Sequence, residues 1–201
     1  MAKTAKRQRM HPQARRGQIL ETMLALCEHQ HFAAIPMRRL AADCGVNMAL
    51  LYHYFDSKEA LVLAALRHAI DDFIVLFEDL TVDDTAPLGA ADAWFQANID
   101  AAPRLVRMVK LMNDFASDGH RDPKASAMVD EFYARERDTL RDAIQRGIAE
   151  GRFRALDADR TARLTSIAFD GIFFGGPARG DYDFAGNLRD LRDHLLATLA
   201  P

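Results

Sequence analysis

The chain has 201 residues, with 26 Lys and Arg against 29 Asp and Glu, a formal charge of −3, and 49% apolar residues. These values exclude a mainly disordered, collagen-like or low-complexity chain and suffice for a packed core in one or two domains. Two cysteines exclude a disulfide scaffold; no apolar run approaches the roughly 20 residues of a membrane helix, and the basic N-terminus lacks the apolar stretch of a signal peptide, so a cytoplasmic protein with no membrane partner is expected.

Charge is unevenly placed. Residues 1–56 hold eight Lys/Arg and four Asp/Glu, a net of +4, and residues 57–201 hold 18 and 25, a net of −7. Lys3, Lys6, Arg7, Arg9, Arg15 and Arg16 form a basic leader without an acid. Such a leader suits a polyanion. Alone, it is as readily a solvated tail, so the residues after it decide.

No sustained period-2 alternation occurs, and a helical period runs almost throughout, which predicts an all-α fold. A first helix spans about Arg16 to His29, with Ile19, Leu20, Met23, Leu24 and Cys27 on one face. A short second helix opens at Pro36, carries Met37, Leu40 and Ala41, and ends at Gly45. Asn47 caps a third helix over 48–54. Asp56-Ser57-Lys58-Glu59 reads as a capping box. It opens a long helix with Leu66, Ile70, Phe73, Phe77 and Leu80 on one stripe. Thr81–Pro87 reads as a polar loop. Further helices are expected at about 88–101, 104–117, 124–150, 157–175 and 185–199, punctuated by Pro103, Pro123, Gly151 and Gly175-Gly176-Pro177. The domain boundary falls near Asp56, dividing residues 1–56 from 57–201.

Residues 36–54 have the parts of a DNA-reading helix-turn-helix: small residues Ala41 and Ala42, a turn at Gly45, and a second helix anchored by Val46 and Leu51. That leaves Asn47, Met48, Ala49, Leu50, Tyr52 and His53 to meet base edges. Arg38 and Arg39 lie on the supporting helix, and Lys58 can reach a phosphate.

Ile19 to Leu61 resembles the DNA-binding domain of the tetracycline-repressor (TetR) family. The resemblance rests on Leu40-Ala41-Ala42-Asp43-Cys44-Gly45-Val46, Leu51-Tyr52-His53-Tyr54-Phe55 and Ser57-Lys58-Glu59-Ala60-Leu61. It implies a homodimeric, ligand-responsive regulator, read as a repressor. Its N-terminal three-helix domain would bind palindromic double-stranded operator DNA. Its C-terminal helical bundle would dimerise and bind a small hydrophobic or amphipathic effector that releases the DNA. Tyr52 and Lys58 are then expected on phosphates, Arg38 on a base, and Arg7, Arg9 and Arg16 along the arm. Ile35 stands where a capping threonine is common, and His31 where a glycine often ends the first helix. Met48, Ala49 and Leu50 replace more usual polar or glycine residues, so apolar contact with thymine methyls gains weight.

In the larger domain, Trp94, Phe95, Met108, Met112 and Phe115 form one group of adaptable or aromatic residues, and Met128, Phe132, Tyr133, Phe169 and Phe173 form another. Residue by residue they suit an ordinary core first, and as a set they suit a plastic pocket for a hydrophobic ligand. Asn113, Asp114 and His120 are candidates to orient a ligand. The stripe Leu164, Ile167, Ala168, Gly171, Ile172 and Gly175 and the near-heptad Leu188, Leu191, Leu195 and Leu199 suit a four-helix dimer interface or a purely intramolecular core, and the resemblance favours the dimer. Arg141 to Arg154, with Gly147 and Gly151, resembles a helix ending common in the family, with a structural role.

Rival readings are a helical interaction module without DNA and a small helical enzyme. Cys27, His29 and His31 sit close together with Cys44 not far away, but Cys27 belongs to an apolar helix face and the histidines fall at the helix end, so a metal site is not expected. No serine sits in a nucleophile elbow, and Gly175–Gly180 follows a helix, unlike a dinucleotide loop. No catalytic residue, metal or cofactor is expected.

Overall fold

The computed structural model describes residues 10–78, 89–117, 122–175, 179 and 182–201. Lys3, Lys6, Arg7, Arg9, Leu80, the Thr81–Pro87 loop, His120 and Gly176-Pro177 lie outside the described residues, as does the Phe77 side chain. Among the described residues there are α-helices and one 3-10 turn, and no strand. None of these helices is long and apolar enough to cross a membrane.

The chain opens with α1 (Pro12–Cys27), four residues earlier than the periodicity suggests, because Pro12 is already suited to a first turn. Arg15 and Arg16 therefore sit on the helix and not in the leader. The face Ile19, Leu20, Met23, Leu24 and Cys27 is buried. A 3-10 turn follows at Phe32–Ala34, which the sequence pattern does not announce. His31 caps it, its Nδ1 accepting the Ala33 N–H at 3.1 Å.

Helix α2 (Met37–Asp43) starts after Pro36 without a side-chain cap, as Ile35 in place of a threonine implies. Gly45, at φ +64°, supplies the left-handed residue that turns the chain into α3 (Met48–Tyr54). Asn47 Oδ1 accepts the Leu50 N–H at 2.8 Å. The cap of α4 (Lys58–Glu78) falls on Ser57, whose Oγ accepts the Ala60 N–H at 3.1 Å, and not on Asp56. With Lys58 as the first helical residue, the amide within reach of a cap belongs to Ala60, so the box shifts by one.

Then come α5 (Ala90–Asp100), α6 (Ala102–Ser117), α7 (Pro123–Ala149), α8 (Ala158–Gly175) and α9 (Phe184–Leu199). Pro103 lies in the first turn of α6 and breaks nothing, so Ala101 alone separates α5 from α6. Asp122 and Asp183 cap α7 and α9 by accepting the Lys124 and Gly186 N–H groups at 2.7 and 2.9 Å. One apolar cluster runs from Ile19 to Leu199. Within it α1 packs on α4 and α6, α7 lies along α8, and α8 along α9.

The end of α7 is a Schellman turn: Gly151 sits at φ +72°, and the Arg152 and Gly151 N–H groups donate to the Gly147 and Ile148 carbonyls. Phe153 folds back over Gly147, where an added Cβ would come within 2.2 Å of its ring. Gly147→Ala should therefore lower stability by about 1–3 kcal/mol in a denaturant titration. Gly17→Ala, in an α1 position with nothing within 4 Å, should raise it by about 0.5–1 kcal/mol. Equal effects would contradict this packing.

Candidate functional site

Helix α3 buries Leu51, half-buries Met48 and Leu50, and turns Asn47, Ala49, Tyr52 and His53 outward. Tyr52 is 48% exposed, a large value for an aromatic residue on a short helix. Asn47 Oδ1 is committed to the cap, so an outward contact falls to its amide nitrogen. Tyr54 is half-buried and Phe55 buried. The Arg16 guanidinium carbon lies 5.2 Å from the Phe55 ring centroid, which brings a cation from α1 to the end of α3. Arg38 and Arg39 are exposed on α2, Arg39 pairing with Asp43 at 3.6 Å. Lys58 is half-buried, and burial lowers its pKa. Its Nζ donates to the Ala33 carbonyl at 2.7 Å, leaving two further N–H groups. The face thus presents Tyr52, His53 and several cations around one short helix.

The second feature is a cavity of about 270 Å³ between α4, α5 and α7. Phe73, Trp94 and Phe132 wall it, with Glu136 and Thr139 among its polar groups. Of the expected ligand residues, Trp94 and Phe132 line this chamber. Phe95, Met112, Phe169 and Phe173 are buried in the core. Trp94 packs at a tilt against Phe169, and Phe169 against Phe173, each pair about 5 Å between centroids. Met108 lines a smaller cavity between α1, α4 and α6 that shares Phe73 with the chamber. Phe115 and Met128 are half-buried against the core. Asn113 is exposed, and Asp114 points toward α1 and the 3-10 turn.

Sequence reasoning missed Glu136. It is 7% exposed, and Ser166 Oγ donates to its Oε2 at 2.9 Å. Burial, aided by nearby Asp170, pushes its carboxyl up to about 8. Asp170, raised by burial to about 6, accepts the Tyr133 hydroxyl at 3.2 Å. A signal existed: Phe132, Glu136, Leu140, Ala143 and Gly147 share one buried helical stripe, hidden within the charged run Arg135–Asp138.

On α8, Leu164 (50%) and Ile167 (56%) are exposed, as is Gly171. Leu191 of α9 is half-buried beside Leu164. Leu188, Leu195 and Leu199 point into the chain's own core, because α9 packs that face on α5 and α8. Their leucine spacing records an internal seam, not an outer one.

Among the described residues, Glu21, His68 and Asp72 place three possible ligand atoms within 4.8 Å of one another. His68 Nε2 already lies 3.0 Å from Glu21 and 3.6 Å from Asp72, and Arg107 is 3.8 Å from Glu21. The group reads as a polar network joining α1, α4 and α6. Cys27 and Cys44 are buried, and burial pushes both thiols up, Cys27 to about 12.

The family described as bacterial regulatory proteins, tetR family, matches residues 19–65. The family described as BetI-type transcriptional repressor, C-terminal, matches residues 87–200. The chain is 32% identical over 153 residues to the HTH-type transcriptional repressor KstR2 of Mycobacterium tuberculosis strain H37Rv, covering 75% of this chain and 76% of that one. The solved structure of the ketosteroid transcriptional regulator KstR2 of Mycobacterium tuberculosis aligns at a TM-score of 0.71 and 26% identity, over 93% and 95% of the two chains. A TetR-family regulator from Agrobacterium tumefaciens aligns at 0.79 and 19% identity, over 95% and 100%.

The buried carboxyl has a measurable consequence. An unfolded glutamate releases its proton near pH 4.3, whereas folded Glu136 holds its own to about 8. Between those values the folded chain binds more protons, so stability falls as pH rises. Glu136→Gln should gain on the wild type steadily across this window, most of all near pH 8. Parallel stability curves from pH 5 to 8 would contradict the assignment.

Proposed function

Because the chain belongs to the TetR family of transcriptional regulators, DNA-binding proteins that respond to a ligand, we propose that it is a repressor that binds a palindromic operator as a homodimer. A small, largely apolar effector releases it. The reading unit is residues 1–56 and the effector and dimerisation unit 57–201. The protein regulates transcription in the cytoplasm and is not an enzyme.

The observation that carries this reading is the outward face of α3 beside its cations. Tyr52 and the free N–H groups of Lys58 meet phosphates. Arg38 and Asn47 read base edges, and Ala49, with the half-buried Met48 and Leu50, offers apolar contact to thymine methyls. His53 and Arg16 flank the groove, and Arg7 and Arg9 extend along the adjacent backbone. Each neutralised phosphate steepens the salt dependence.

Exposed Leu164, Ile167 and Phe174 on one side of α8 support pairing through α8, with Gly171 allowing close approach and Leu191 at its edge. Such a patch is costly to leave in water. Two reading helices would then sit one DNA turn apart, roughly 34–36 Å. For the effector, Phe73, Trp94 and Phe132 support an apolar body, and Glu136, its pKa raised by burial, supports a hydrogen bond to one carbonyl or hydroxyl. That chemistry agrees with the ketosteroid regulator among the similar structures.

Selection from a random duplex pool should return a two-fold-symmetric sequence with half-site centres about one turn apart. No sequence preference would end the proposal. Tyr52→Ala should weaken binding to the selected duplex about tenfold, the scale of one hydrogen bond to a charged group, with an unchanged melting temperature. Arg38→Ala should also shift base preference.

A further inference from the structure

The 3-10 turn Phe32–Ala34 lies between α1 and α2 and is held from two sides. From α6, the carboxylate of Asp114, 6% exposed, accepts the Phe32 N–H at 3.2 Å. From α4, Lys58 donates to the Ala33 carbonyl at 2.7 Å. The Phe32 ring lies 4.9 Å from that of Phe115, the next residue of α6. Lys110, one turn earlier, is 2.9 and 3.1 Å from the two Asp114 oxygens and supplies the countercharge.

Packing alone does not account for this aspartate. A carboxylate costs free energy to bury and is repaid only by charge and hydrogen-bond partners. An exposed Lys–Asp pair on α6 would avoid that cost. Here the carboxylate is buried, and one oxygen is shared between Lys110 and a backbone amide 82 residues away. The turn it holds leads directly into α2, which has no side-chain cap of its own. Helix α2 packs on α1 and α3 and buries Leu40 and Ala41, and the two tethers fix the chain at the point where it enters that packing. Helix α6 also carries Met108 into the small cavity that shares Phe73 with the chamber.

We propose that Asp114 is the positioning residue that sets the orientation of the reading helices on the bundle, through its hydrogen bond to the Phe32 amide. Movement of α6 is then passed to α2 and α3 at that point. The contact stands independently of the proposed function; only its effect on DNA rests on the two-half-site reading.

The test uses the full chain as wild type, Asp114→Ala and Asp114→Asn, the last keeping an acceptor in place. Amide hydrogen exchange is followed residue by residue. Affinity is measured for the selected duplex and for the same duplex with two base pairs inserted at its centre. Asp114→Ala should speed exchange at Phe32 about tenfold or more and lose most of the preference between duplexes. Asp114→Asn should retain both. A clamp that merely stabilises the turn would speed exchange and leave the spacing preference intact, and that result overturns the proposal. So does unchanged exchange in a folded Ala variant. Should Asp114→Ala fail to fold, Asp114→Leu, apolar and of similar size, takes its place. If the wild type itself ignores the insertion, the two-half-site reading has failed. Exchange then decides: acceleration at Phe32 that extends through 37–54 supports the proposal, and acceleration confined to Phe32 overturns it.

Discussion

Leu61, Val62, Ala65, Leu66 and Ile70 are all fully buried, yet they belong to one helix with neighbours on several sides. Helix α4 packs on α1 of the reading unit and on α6 and α7 of the bundle. A fully buried large aliphatic side chain is worth about 1.5–3 kcal/mol. Freeing the reading unit from α4 would forfeit several of these at once. A response to an effector is therefore restricted to small rigid shifts that keep this contact, because useful allosteric coupling is only about 1–3 kcal/mol. The apolar weld fixes that the units move together, and the polar contacts around it fix how.

Those polar contacts gather on one short stretch. Lys58 and Asp114 hold the 3-10 turn, Arg107 lies 3.8 Å from both Glu21 and Glu28, and His68 joins Glu21 to Asp72. Exposed ion pairs contribute little each, so the Glu21 group is a weak guide for α1. The Asp114 contact differs because it is buried and ends on a backbone amide, which a rotamer change cannot replace.

Local chemistry makes much of this fold legible in the sequence. The period of α1 marks its buried face, Gly45 marks the left-handed turn, and Asn47 marks the cap of α3, since each depends on residues within one helical turn. The same reasoning slips where two local solutions compete, as at Asp56 and Ser57. It fails where the partner is remote. The leucines of α9 have a spacing that fits an outer or an inner seam, and only the presence of α5 and α8 against them chooses the inner one. The 3-10 turn depends on Asp114 and Lys58, far from it in sequence. Periodicity shows which face is buried and not what buries it.

Two buried carboxyls differ in what surrounds them. Asp114 and Glu136 are almost equally hidden, at 6% and 7% exposure. Asp114 has an ammonium on both oxygens and a backbone amide, so its hydrogen-bonding capacity is spent on holding the fold. Glu136 is held protonated chiefly by burial, with Asp170 adding to it and the Ser166 hydroxyl opposing it, and its carboxyl lines the chamber. The first group suits a joint, because its partners are permanent. The second suits recognition, because a ligand oxygen can accept the proton that burial keeps in place. At similar depth, the Lys110 ammonium suits Asp114 to the proposed joint, and burial of an uncharged acid suits Glu136 to the proposed recognition.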